Sequence, residues 1–102
     1  MTKKNAVLNT FSRKIRQETA NTAHHAFQAG VTMDRMAYER RMIHMAKANP
    51  PPGWQGPSPS VALFKQNLDD ARQAHHNHNR HVRESTEKTN EYVREMVMQS
   101  YH

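Results

Sequence analysis

An alternation of three- and four-residue spacings runs through about the last 40 residues and constrains the fold more than any other feature. This spacing is the heptad pattern of helices that pack along one seam. One continuous helix of that length would be about 60 Å long. The seam positions are Val61, Phe64, Leu68, Ala71, His75, His78, Val82, Ser85, Thr89, Tyr92, Met96 and Gln99.

The length of this seam predicts a contact with another chain. The sequence before it is expected to form only two shorter helices of about 16–25 residues, which reach about 24–38 Å each. Large apolar side chains left in water would forgo roughly 1.5–3 kcal/mol each, so we expect part of the seam to rest on a partner. The predicted partner-binding side chains are Phe64, Leu68, Val82, Tyr92, Met96 and, outside the seam, Trp54.

Residues 1–49 predict two helices joined by a turn near Gly30, because glycine commonly ends a helix. The first helix has one apolar stripe, whereas the second has apolar side chains on two sides and is expected to be contacted on both. The stripe of the first helix consists of Leu8, Phe11, Ile15, Ala23 and Phe27. The second carries Met33, Met36 and Ile43 toward one side and Tyr38, Met42 and Met45 toward another.

Residues 50–60, PPPGWQGPSPS, hold all five prolines and two of the three glycines. This composition stops a helix and favours an extended, polyproline-type strap interrupted by turns. The only tryptophan, Trp54, lies in this segment. Since local structure cannot bury it there, we expect Trp54 to dock on a helix or on a neighbouring chain.

Strong core residues are scarce in this chain. Val, Ile, Leu and Phe number 14 of 102 residues, below the roughly 20% at which disorder becomes the usual expectation. The predicted fold class is therefore all-α and extended, without a compact independent core. It comprises two shorter helices in residues 1–49, the Pro-rich strap in 50–60 and one long C-terminal helix in 61–102.

Positive charge is concentrated in the first half of the chain. Residues 1–49 carry nine Lys and Arg against three acidic residues, whereas residues 60–102 carry six of each. We expect this half to contact an acidic protein surface, an rRNA or DNA backbone, or an anionic membrane surface in peripheral fashion. The predicted basic contacts are Lys3, Lys4, Arg13, Lys14, Arg16, Arg40 and Arg41.

Histidines are grouped near the middle of the long helix. Residues three apart share a helix face, so His75, His78 and His81 are the candidates for a metal site. Structural zinc normally needs four ligands, and no Cys, Asp or Glu lies within the cluster. We therefore predict no metal or other cofactor here, and histidines that act as hydrogen-bonding groups. A looser set of His24, His25 and His44 is likewise expected to pack rather than to bind.

Motifs that would indicate catalysis are absent from the sequence: it has no GxGxxG, P-loop, HExxH or GxSxG. No run of about 18 apolar residues could span a bilayer. We predict a non-enzymatic structural or accessory subunit that staples neighbouring protein subunits of a large assembly. The early basic residues, interspersed with Ser and Thr, favour the peripheral or soluble side of a mitochondrial complex. The alternative is a ribonucleoprotein or virion component that binds the rRNA or DNA backbone.

Overall fold

The computed structural model describes residues 3–56 and 58–101 and contains two α-helices. Helix α1 is Lys3–Ala48 and helix α2 is Pro59–Ser100, and these described residues include no strand. The all-α prediction is therefore confirmed. Four residues of the predicted segments, Met1, Thr2, Pro57 and His102, lie outside the described residues.

The predicted turn at Gly30 is wrong, because α1 continues through it as one helix of 46 residues. A glycine inside a helix costs only about 1 kcal/mol relative to alanine. Gly30 itself is exposed, whereas Ala29 and Thr32 beside it are buried. Packing of these neighbours stabilises the helix on both sides of the glycine, and the two shorter helices expected in this half are therefore one.

The predicted long C-terminal helix is present, and α2 is continuous through the histidine-rich stretch to Ser100. It begins at Pro59, a residue suited to the first helical position because its missing N–H has no partner there. The carbonyl of Ser58 accepts hydrogen bonds from the backbone N–H groups of Val61 and Ala62 at 3.0 and 3.4 Å. Ser58 thus occupies the N-terminal cap of α2.

The segment between the helices contains a tight turn. The N–H of Trp54 donates to the carbonyl of Pro51 at 3.0 Å, and Gly53 has a φ of 76°. A type II turn requires a positive φ at its third residue, here Gly53, and commonly has proline as its second, here Pro52. The predicted polyproline strap is not confirmed beyond this local geometry.

The chain divides into two units, each of which pairs a stretch of α1 with a stretch of α2. The loop unit is Gln28–Asn77 and includes the segment between the helices. The terminal unit comprises residues 3–27 and 78–101 of those that the structure describes.

The loop unit contains every buried apolar side chain among the described residues. Met36 of α1 packs with Leu68 and Ala71 of α2, and the half-buried Ile43 packs against this cluster. Glu39 is also buried in this unit, at 5% exposure, and its Oε2 atom has no hydrogen-bond partner. The helix pair therefore has a small core that includes one unpaired carboxylate oxygen.

The packed positions of the terminal unit are half-buried, apart from the buried Ser85, and include many polar side chains. Beyond Ile15, the inward positions of α1 are Glu18, Thr22 and His25, whereas the predicted Ala23 and Phe27 are exposed. That part of the predicted stripe is wrong, because repeated steps of four residues advance about 40° per step around an α-helix and leave the packed face.

The predicted seam of α2 is confirmed from Val61 to Met96, where its positions are buried or half-buried, whereas Gln99 is exposed. The prediction that this chain cannot cover its own seam is wrong. An uninterrupted α1 is about 69 Å long, longer than the two short helices that the prediction assumed. Within each unit, α1 lies along the seam of α2.

Candidate functional site

Four histidines of the terminal unit, His24 and His25 on α1 and His78 and His81 on α2, lie close together. The ring of His25 on α1 stacks on that of His81 on α2, with centroids 4.6 Å apart. His25 Nδ1 lies 3.5 Å from His78 Nδ1, and the ring of His24 lies 5.3 Å from that of His25. Sequence reasoning had grouped these residues separately, because only helix pairing brings them together.

Burial lowers the pKa of His25, and the nearby imidazoles of His81, His24 and His78 lower it further in that order. The neutral imidazole is therefore favoured at this position. An acidic side chain also lies at the edge of the cluster, since His81 Nδ1 is 3.8 Å from Glu84 Oε2. The cluster thus contains stacked rings and one contact with a carboxylate.

The three candidate metal ligands do not come together. His75 belongs to the loop unit, where its Nδ1 is 2.9 Å from both the Thr32 hydroxyl and the Ala29 carbonyl oxygen. His78 instead faces His25 in the terminal unit. Within the ranges 3–56 and 58–101, no group of three or more His, Cys, Asp or Glu could hold a metal ion.

The predicted basic contacts are exposed, but they belong to different units. Lys14 places its ammonium group 5.5 Å from the ring centroid of Tyr92 and 5.8 Å from that of Phe11. Lys4 donates a hydrogen bond to the Ser100 carbonyl at 3.0 Å. Lys3, Arg13 and Arg16 lie in the same terminal unit, whereas Arg40 and Arg41 lie in the loop unit.

Most predicted partner-binding residues lie on the seam. Leu68 is 7% exposed, so its side chain is available to a partner only if α1 moves away. Trp54, by contrast, is 48% exposed. The remaining four, Phe64, Val82, Tyr92 and Met96, are half-buried and keep an accessible edge.

A second apolar surface lies on α1 within the loop unit. Val31, Tyr38 and Met45 recur every seven residues and are 46%, 52% and 50% exposed. We call these three residues the outer stripe. The sequence indicated two apolar sides for this helix and included Tyr38 and Met45, but it missed Val31. The seven-residue spacing is the signal that would have found it.

Surface depressions in the described residues are shallow. One of them, about 430 Å³, is lined only by side chains of α2. These side chains are charged or polar and are Glu84, Glu87, Lys88, Asn90, Glu91 and Arg94.

No described helix is long and apolar enough to cross a membrane. Comparisons with protein-family models, with curated proteins and with solved structures found no match for this chain.

Proposed function

We propose that this protein is a non-enzymatic structural subunit that joins neighbouring protein subunits of a larger assembly. One observation supports this proposal above the others. Among the described residues, twelve large apolar side chains are exposed, whereas only five apolar residues are buried, two of them alanine. Exposed apolar side chains that line up on a helix face are typical of interaction surfaces.

The outer stripe and Trp54 are the contacts that we assign to this role. Tyr and Trp are enriched at interfaces, because they bury a large area and offer one polar atom. The half-buried seam residues Phe64, Val82, Tyr92 and Met96 contribute through the edges that α1 leaves accessible. The preference for a mitochondrial complex, with peripheral attachment, rests on the N-terminal composition alone.

The alternative function, binding of an RNA or DNA backbone, is favoured by the charge distribution of α1. Its nine Lys and Arg residues are all exposed, while the two Arg–carboxylate ion pairs and the His81–Glu84 contact found in residues 3–56 and 58–101 lie on α2. Cations outside ion pairs are available to phosphates, and such binding weakens steeply with salt.

Native size separation of a gentle extract from cells that express the full chain tests both functions. We expect the chain, detected by antibody, to migrate far above its 11.9 kDa mass in a species that survives nuclease treatment. The exchange Trp54→Ala should release part of the chain from this species, whereas Leu63→Ala, at a 59% exposed position of α2 outside the assigned contacts, should release none.

The other outcomes decide against the proposal. Migration of the wild-type chain at the size of one or two copies would refute assembly with other subunits. Collapse of the large species on nuclease treatment would replace the proposed function by the nucleic-acid alternative.

A further inference from the structure

The outer stripe lies on the side of α1 that faces away from the core of the loop unit. Tyr38 follows the buried Met36 by two residues, which corresponds to a rotation of about 200° around the helix. Side chains seven residues apart drift by only about 20°. Val31, Tyr38 and Met45 therefore form one line, about 21 Å long, on the exposed side of the helix.

Two charged residues of opposite sign complete this line. Asp34 lies four residues before Tyr38, and Arg41 lies three residues after it, at roughly 6 and 4.5 Å along the helix axis. Both are exposed, and neither takes part in an ion pair among the described residues. Reversing the direction of the helix about Tyr38 thus exchanges Val31 with Met45 and the negative charge with the positive one.

We propose that the outer stripe pairs with the outer stripe of a second copy of this chain in antiparallel orientation. This inference rests on the proposed function, since it names a partner for the same surface. A twofold axis at Tyr38 places Asp34 of each copy opposite Arg41 of the other, and Val31 opposite Met45. In a parallel pair the twofold axis would instead place the flank that carries Asp34 and Arg41 on opposite sides of the contact in the two copies, so that these charges would not meet.

The contact is small, and the dimer is therefore weak and reversible. A pair of helices that touch along about 21 Å falls at the low end of interface sizes. An isologous contact of this kind closes on itself and leaves the seam edges and Trp54 of both copies accessible. The paired chain then presents two sets of contacts to the neighbouring subunits.

Charge reversal with sedimentation analysis of the full recombinant chain tests the pairing. We expect D34R and R41D each to raise the dimer dissociation constant at least about tenfold, because each creates two like-charged pairs. The double variant D34R/R41D should return to within about threefold of the wild type, since the exchange restores both opposite-charge pairs. K65D, at an exposed position of α2 in the same unit, is the matched control and should leave the constant unchanged.

Circular dichroism of every variant shows whether the helices persist. A wild-type chain that remains monomeric up to about 1 mM would overturn the pairing. Failure of the double variant to recover, with helicity intact, would overturn it as well. Neither result bears on the nuclease-resistant species in cell extract, so the pairing and the proposed function fail separately.

Discussion

Replacement of the buried Glu39 by methionine should stabilise this protein. Glu39 is 5% exposed, and its Oε2 atom has no hydrogen-bond partner. A buried polar group left without a partner costs about 1–3 kcal/mol. Glu and Met have similar helix propensities, so the exchange removes this penalty with little change in the intrinsic stability of α1. We expect Glu39→Met to raise the free energy of unfolding by about 1–2 kcal/mol, and the melting temperature by about 4–8 °C for each kcal/mol.

Chemical and thermal denaturation, followed by circular dichroism at one fixed protein concentration, measures this effect. Fixed concentration is needed because self-association makes the melting temperature depend on it. The matched control is Glu87→Met at an exposed position of α2, which should change stability by less than about 0.5 kcal/mol. An unchanged or lower unfolding free energy for Glu39→Met would refute the reasoning and show that the carboxylate is stabilised where it lies.

Four further substitutions test the helix, the turn and the histidine cluster. Gly30→Ala should stabilise α1 by about 1 kcal/mol, because alanine is the better helix former and a Cβ there meets no atom within 4 Å. Gly53→Ala should instead destabilise the turn, because the φ of Gly53 is 76°. Thermal melts in which Gly53→Ala is the more stable variant would contradict both expectations. Because the pKa of His25 is lowered on folding, the unfolded chain binds more protons, and the unfolding free energy should fall as the pH is lowered through and below the ordinary value of 6.5. Denaturation midpoints measured across this pH range should vary less for His25→Gln than for the wild type. The control His76→Gln, at an exposed position, should leave this pH dependence unchanged. Equal profiles for the wild type and His25→Gln would exclude the histidine cluster as the source of the pH dependence.

Local sequence signals were sufficient for α2 and for the break in helical structure before it. The spacing from Val61 to Met96 predicts the packed face at each position, since residues at alternating three- and four-residue intervals lie on one face of a helix, whether apolar as at Leu68 or polar as at His75. Prolines between residues 50 and 59 and the glycine of the turn act through their own backbone restrictions, which need no tertiary contact. These features could therefore be predicted without a structure.

Tertiary structure decided the course of α1 and the grouping of the histidines. A lone glycine is an ambiguous signal, and only burial of Ala29 and Thr32 on either side shows that the helix continues. The packed face of α1 includes Glu39, a residue type that sequence reasoning assigns to the surface. Such positions become buried because the opposing helix lies over them, and the register between two helices is a property of their packing rather than of either sequence alone.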